Sequence, residues 1–119
     1  MVVGRSIDSL GEEILTEAGI MALQRVSSRE LEKLCRHSGA RKIKASTLNR
    51  SVETLKSCLG YAQLVKVDEK LKHTCVYGGK GENLATLIVG ASTGEVVDER
   101  ERMARDAASA LQAALRGGI

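Results

Sequence analysis

The side chains that could carry out acid–base, nucleophilic or metal chemistry are few and far apart in this chain. Its two histidines, His37 and His73, have no carboxylate or nucleophile at a diagnostic spacing, which favours surface histidines over catalytic ones. Three cysteines without a CxxC pair indicate reduced thiols of a cytoplasmic protein rather than a disulfide framework or a zinc site; they are Cys35, Cys58 and Cys75. The sequence therefore predicts no metal site and no self-contained active site.

Two segments have a composition compatible with phosphate binding, but neither has the spacing of a known phosphate cradle. Residues 36–44 form the most basic stretch, and residues 78–81 read Gly-Gly-Lys-Gly. The glycine segment lacks the GxxxxGKS/T spacing, and no helix pattern follows it. We therefore interpret residues 36–44 as a solvated helix end whose cations suit the helix dipole, and residues 78–81 as a flexible hairpin loop.

A carboxylate within the last helical pattern, Asp106, has two interpretations. It lies in a run of small residues, with arginines at neighbouring positions of the same helix. The pattern alone favours a boundary residue that pairs with Arg102 or Arg105. A functional carboxylate is the alternative, and the spacing leaves both open.

The composition excludes several classes of function. The chain has 119 residues, the size of one domain, and its 28% charged and 43% hydrophobic residues argue against disorder. With no Phe or Trp and only two Tyr, it lacks the aromatic platforms of single-stranded nucleic-acid binders, and a net charge of +3 is small for a DNA or RNA binder. No apolar run reaches the roughly 20 residues of a membrane span, and no signal peptide is recognisable. We expect neither nucleic acid nor a membrane as a partner.

Hydrophobic periodicity and capping signals predict an α/β layer followed by a long helix. Short strands at 2–3 and 20–26 alternate with helices that start near Ser6 or Asp8 and at Ser27. In the first helix, Leu10, Ile14 and Ala18 form an apolar stripe that we expect to face the core. Residues 61–67 and 71–77 predict a β-hairpin, residues 84–89 predict an apolar strand, and a long helix follows from position 92 or 93.

Three segments together resemble the chaperonin family. Residues 5–43 resemble part of the apical domain of the thermosome and its eukaryotic cytosolic relatives (group II): a helix, then Gly-Ile-x-Ala-hydrophobic-x-Arg-Val, then a helix that ends before Gly-Ala. Residues 59–62 are similar to the family's Leu-Gly-x-Ala segment. Residues 84–118 are similar to the return into the intermediate domain, with a bacterial (group I) likeness at 89–91. The mixture indicates a bacterial chaperonin of the archaeal-like kind, with a divergent group I or group II protein as the alternative.

The resemblance implies a fold and an activity. The fold is an α/β apical-domain-like layer of strands and helices with a β-hairpin over residues 1–89, then a hinge and a long C-terminal helix of the intermediate-domain type over residues 90–119. Chaperonin subunits are several times longer and carry their ATP-binding loop elsewhere, so we expect a fragment of an ATP-dependent chaperone. The resemblance further implies that the intact protein assembles with other chaperonin subunits into a cytoplasmic ring, which folds non-native polypeptides. The full-length protein would be an ATPase that binds ATP and Mg²⁺; no cofactor is expected on the fragment alone.

The resemblance also implies roles for individual residues. The helix from Ser9 onward matches the family's cavity-facing apical helix, so the polar side chains opposite its apolar stripe are the expected polypeptide-binding set: Ser9, Glu12, Glu13 and Thr16. Gly90 matches the hinge between the apical and intermediate domains. Asp106 matches the aspartate that orients the water attacking ATP, and a carboxylate on a moving helix completes such a site only when the domains close.

Two other classes of function stay open at this point. The chain could be a stand-alone protein-interaction module with a chaperonin apical-like fold. A reading frame that continues past both ends would decide for the fragment. A weaker alternative is a small nucleic-acid-binding protein that uses the basic residues 36–44, and salt-dependent binding to a duplex would be its sign.

Overall fold

The computed structural model describes residues 1–118, which separate into two compact units, Met1–Leu84 and a second unit that begins at Ala85. The first unit contains helices α1 (Ser9–Glu17), α2 (Ser28–Ser38) and α3 (Val52–Ser57), a 3-10 helix (Ala45–Asn49), and strands β1 (Leu64–Asp68) and β2 (His73–Tyr77). The second unit contains one long helix, α4 (Gly94–Gly117). The predicted hairpin and long C-terminal helix are therefore confirmed, and the predicted domain boundary at residues 89 and 90 stays a prediction.

Local signals in the sequence account for the ends of the helices. The Asp8 carboxylate accepts a hydrogen bond from the Gly11 N–H at 2.8 Å, which satisfies one of the free amides at the start of α1. The Ser27 hydroxyl accepts from the Glu30 N–H at 3.3 Å at the start of α2. Gly39 ends α2 with a φ of +79°, a conformation that glycine adopts without steric cost. At α4, by contrast, Thr93 is the N-cap and its side chain makes no capping bond.

Strands β1 and β2 form an antiparallel hairpin in which Leu64 lies opposite Tyr77 and Asp68 lies opposite His73. The Asp68 carboxylate accepts from the N–H groups of Lys70 and Leu71 at 3.0 and 3.1 Å, as expected of a short polar side chain that closes a turn on its own backbone. This hairpin is the whole of the sheet within residues 1–118.

Two of the predicted strands are reduced in the structure and a third is not formed. The segments at 2–3 and 20–26 meet at one parallel bridge between Val2 and Leu23, where the Val3 N–H donates to the Leu23 carbonyl at 2.9 Å. Residues 84–89 have no strand structure. A strand requires a neighbour for its N–H and C=O groups, and no other part of the chain between 1 and 118 provides one for this segment.

The apolar stripe of α1 that was predicted to face the core, formed by Leu10, Ile14 and Ala18, is exposed in the structure. Leu10 and Ile14 are 65% and 57% exposed, whereas Leu15 is only half-exposed. Leu15 lies on the side of α1 that contacts the following segment, where its carbonyl accepts from the Ile20 N–H at 2.9 Å. Apolar residues occupy two sides of this helix, so the periodicity identified a stripe without showing which side packs.

Apolar surface is left open throughout the first unit. No apolar side chain among the described residues is fully buried. An open groove of about 1090 Å³ in the first unit is lined mainly by apolar residues, including Val2, Leu31, Leu34 and Val76. No helix in residues 1–118 has the length and hydropathy needed to cross a membrane.

Candidate functional site

Helix α1 presents one continuous exposed surface, which we call the α1 outer face. Successive side chains on a helix are rotated by about 100°, so positions three and four apart share a side. The outer face combines two apolar side chains, a hydroxyl and two carboxylates, and all five are exposed: Ser9, Leu10, Glu13, Ile14 and Glu17. Two of the four residues predicted to contact polypeptide, Ser9 and Glu13, belong to this face.

The other two predicted contact residues, Glu12 and Thr16, lie on the flank of α1 beside the segment 20–24. The Thr16 hydroxyl donates to the Glu12 carbonyl at 2.8 Å, and the Glu12 carboxylate accepts from the side-chain amide of Gln24. Both side chains remain exposed. Their polar groups are thus already engaged within the unit, while those of the α1 outer face point to open surface.

Asp106 is exposed on α4. Arg105 forms its ion pair with Glu101, one turn earlier, at 2.6 Å. Within residues 1–118, no ion pair joins Asp106 to Arg102 or to Arg105, so the pairing that the pattern favoured is wrong. For Arg105 the physical reason is the competing carboxylate of Glu101 at the i−4 position, which holds the guanidinium on the N-terminal side.

Gly90 lies in the segment that leads to α4. A Cβ built on Gly90 would meet no atom within 4 Å, and its φ is not in the left-handed range. Its carbonyl accepts a hydrogen bond from Nη1 of Arg100 at 2.9 Å. Neither packing nor backbone conformation therefore requires glycine at this position in this conformation.

The C-terminal end of α2 and the glycine segment 78–82 are joined by a set of contacts that the sequence did not predict, and we call this set the loop clamp. Two backbone bonds form its base: the Gly81 N–H donates to the His37 carbonyl at 2.8 Å, and the Glu82 N–H donates to the Arg36 carbonyl at 2.7 Å. A salt bridge of 2.7 Å between Arg36 and Glu82 lies beside them. Residues 78–81, interpreted from sequence as a flexible loop, are instead docked on a helix end.

Glycine is required in the loop clamp because the two backbones touch. A Cβ on Gly79 would lie 2.1 Å from the His37 carbonyl oxygen, and a Cβ on Gly81 would lie 2.0 Å from that of Arg36. The ammonium of Lys80 lies over the ring of Tyr61, 4.4 Å from its centroid. Glycine at positions 79 and 81 therefore allows the loop backbone to lie directly against the backbone at the end of α2. The spacing rules that identify phosphate-binding loops do not detect this use of glycine.

The remaining reactive groups form no metal or disulfide chemistry in the described part of the chain. No cluster of three His, Cys, Asp or Glu side chains occurs within residues 1–118, and Cys35, Cys58 and Cys75 are free and half-buried. On β2, the neighbouring Cys75 side chain raises the pKa of Tyr77 above its ordinary value, first as a hydrogen-bonding partner and then through the negative charge of its thiolate.

Comparison with known proteins assigns the chain to a family. Residues 1–119 match the TCP-1/cpn60 chaperonin family. The chain belongs to this family. The predicted family is thereby confirmed, and the α/β fold with its hairpin and long helix is that of a chaperonin domain.

Among similar chaperonin sequences, thermosome subunit beta of Desulfurococcus mucosus is 36% identical over 122 residues, covering 99% of this chain and 23% of that protein. The thermosome subunit of Methanopyrus kandleri is 35% identical over 117 residues, covering 96% of this chain and 20% of that protein. The crystal structure of a group III chaperonin in the open state superposes with a TM-score of 0.86 at 42% identity, over 98% of this chain and 24% of that one. The chain thus spans a fifth to a quarter of the length of these chaperonins.

Proposed function

We propose that this chain is the polypeptide-contacting and nucleotide-coupled part of an ATP-driven folding chaperone. The observation that carries the proposal is the match along the whole chain: the family assignment spans residues 1–119, and a solved chaperonin shares the fold at a TM-score of 0.86. In this proposal residues 1–89 form an apical-domain portion and residues 90–119 form the hinge and the intermediate-domain helix. The intact protein would work in the cytoplasm as a ring of such subunits.

The α1 outer face is the proposed contact for non-native polypeptides. Such clients expose apolar side chains, and Leu10 and Ile14 offer two exposed apolar side chains beside the carboxylates of Glu13 and Glu17. Full burial of one Leu or Ile contributes about 1.5–3 kcal/mol, so a single outer face binds weakly and reversibly. Repetition of the face around a ring would raise the avidity without new contacts. Ser9, Glu12, Glu13 and Thr16 complete the proposed set, with Glu12 and Thr16 at its margin.

Asp106 is the proposed catalytic residue of the intact subunit. The described residues bring no group of metal-ligating side chains together, so in this proposal ATP and Mg²⁺ are held by another part of the subunit and this chain contributes one carboxylate. That carboxylate is exposed, and no ion pair joins it to another of the described residues, so it is accessible to a water molecule. ATP supplies the phosphoryl group whose transfer to water releases free energy.

Gly90 is the proposed hinge between the two portions. No atom lies within 4 Å of where its Cβ would be, and glycine is the residue with the least restricted φ and ψ, which supports a hinge at this position. The Arg100 side chain, which binds the Gly90 carbonyl from the first turns of α4, would have to release it or move with it. Asp106 would then approach the nucleotide only in the closed arrangement, which couples hydrolysis to conformation.

The test of the catalytic role uses the intact chaperonin subunit that carries these residues. In Asp106→Ala we expect ATP hydrolysis to fall by about 100-fold or more, while nucleotide binding is retained, because the carboxylate acts on the water and not on the nucleotide. Asp98→Ala, on the same helix and equally exposed, is the matched control and should hydrolyse ATP normally. Normal turnover in Asp106→Ala would refute the role of Asp106.

The test of polypeptide contact is independent of hydrolysis. The double variant Leu10→Ser with Ile14→Ser should capture a chemically denatured client several-fold less well in the absence of nucleotide, because two apolar contacts are lost. Ser28→Ala with Arg29→Ala, exposed on α2 and outside the α1 outer face, is the control. Unchanged capture by the α1 variant would remove α1 from the proposed function and leave the Asp106 role standing.

A further inference from the structure

The imidazole of His37 joins two segments that are more than 40 residues apart, and it does so with both ring nitrogens. The Gly79 N–H points at Nε2 at 3.1 Å, and Nδ1 lies 2.9 Å from the Glu82 carbonyl oxygen. A backbone N–H can only donate, so Nε2 must accept and carry no proton. A carbonyl can only accept, so Nδ1 must carry the proton and donate it. Both bonds can exist together only in the neutral ring with its hydrogen on Nδ1.

We propose that His37 is a proton-sensitive latch that holds the glycine segment 78–82 on the end of α2 when neutral and releases one side of it when protonated. Protonation places a hydrogen on Nε2, where the Gly79 N–H already points, so two donors meet and that bond is lost. The Nδ1 bond to the Glu82 carbonyl survives, because Nδ1 donates in both forms. The latch therefore opens from the Gly79 side as the pH falls.

The charged groups around the ring do not replace the lost acceptor. On α2, the neighbouring Arg36 is engaged with the Glu82 carboxylate. On the loop, Lys80 has its ammonium over the ring of Tyr61. From the glycine segment, Glu82 meets the His37 ring through its backbone carbonyl and not through its carboxylate. The Gly79 amide is left to water when Nε2 is protonated.

The latch lies just before the point where the chain leaves the first unit. Glu82 lies two residues before Leu84, the last residue of the first compact unit. With the latch closed, the chain leaves that unit from a point fixed on the end of α2. Release of Gly79 frees the start of the segment, while its end stays held by the backbone bonds of Gly81 and Glu82, the Nδ1 bond to the Glu82 carbonyl and the Arg36–Glu82 salt bridge. This inference stands on the geometry of the first unit and does not depend on the proposed function.

The experiment is hydrogen–deuterium exchange of the intact subunit, resolved to single amides and corrected for the intrinsic pH dependence of exchange. It is carried out from about pH 8 to about pH 5, because histidine side chains change charge in this range. Protection of the Gly79 amide should fall by about two- to tenfold on lowering the pH, as expected for loss of one hydrogen bond. The Gly81 amide, which donates to a backbone carbonyl, is the internal reference and should change less.

Variants at the two histidines decide the assignment. His37→Ala should show the low protection of Gly79 at every pH, and His37→Gln, which keeps an acceptor without titrating, should show no pH step. His73→Gln, on β2 and outside the loop clamp, should behave like the wild type. A wild-type Gly79 amide that is equally protected at both ends of the range would overturn the proposal. So would a pH step that persists in His37→Gln or disappears in His73→Gln.

Discussion

Arg36 donates from both Nε and Nη2 to the same carboxylate oxygen of Glu82, at 3.0 and 2.7 Å, although the two residues are 46 positions apart. The pair lies at the side of the loop clamp and ties the end of α2 to the last residues of the first unit. Both side chains are more than half exposed, at 58% and 59%. Water and ions therefore reach the pair, and its strength is limited by screening.

We expect the Arg36–Glu82 pair to contribute about 0.2–1 kcal/mol to the free energy of unfolding, the range measured for exposed pairs. A double-mutant cycle with Arg36→Ala and Glu82→Gln, followed by urea unfolding, measures the coupling. It should shrink towards zero at about 1 M salt, where the Debye length is about 3 Å. The pair of Lys42 and Glu32, at 3.6 Å and also exposed, is the control and should couple more weakly. A coupling that salt leaves unchanged would contradict an exposed pair.

Gly79 and Gly81 should be far less tolerant of substitution than Gly90. A methyl group at either position would stand about 2 Å from a backbone carbonyl oxygen of α2, so the loop must move away from the helix end. We expect Gly79→Ala to destabilise the first unit by about 1–3 kcal/mol and to expose the Glu82 amide to exchange. Gly90→Ala, with open space around the added methyl, is the matched control and should change stability by less than about 0.5 kcal/mol. Equal tolerance at both positions would show that the loop is not docked.

The features of this fold that were predicted correctly from the sequence depend on interactions between residues close together in the chain. The Ser27 cap, the left-handed Gly39 and the turn at Asp68 each depend on residues within a few positions, and the structure has all three. The loop clamp depends instead on Arg36 and His37 meeting a segment more than 40 positions later, and no local pattern encodes such a meeting. The glycines at 79 and 81 were the available signal, because two glycines one residue apart permit close backbone approach as readily as flexibility.

The two errors in the predicted layer share one physical origin. Strand formation at 84–89 depends on a neighbouring backbone, which an apolar run cannot supply by itself. The facing of α1 depends on which apolar side meets the rest of the unit, and Leu15 rather than Leu10 does so. The pairing of a strand and the facing of a helix are both determined by tertiary contacts. The role predicted for Asp106, by contrast, came from the family resemblance, and the structure adds that Arg105 is engaged with Glu101.

Substitutions along α1 should follow the observed facing and not the predicted stripe. Leu15→Ala removes a half-exposed side chain that packs beside the segment 20–24, and we expect a loss of about 1–2 kcal/mol in unfolding free energy, below the range for fully buried leucines. Leu10→Ala removes a side chain that is 65% exposed and should cost less than about 0.5 kcal/mol. Urea unfolding of the two matched variants measures the difference. A larger loss of unfolding free energy in Leu10→Ala than in Leu15→Ala would mean that the predicted stripe, and not Leu15, packs against the rest of the unit.

The phenol of Tyr77 should titrate above its ordinary value, and Cys75 should be the reason. The hydrogen bond with Cys75 and the charge on its thiol both raise the pKa of Tyr77. Because the folded pKa lies above the unfolded value, this contact adds stability below the unfolded pKa, and that stability is lost as the pH rises through the folded pKa. In a Tyr61→Phe background, phenolate absorbance reports Tyr77 alone, since the chain has two Tyr and no Trp. Adding Cys75→Ala should lower the pKa of Tyr77 towards about 10, whereas Cys58→Ala, at the end of α3 and outside the hairpin strands, should leave it raised. An unchanged titration in Cys75→Ala would assign the shift to another neighbour.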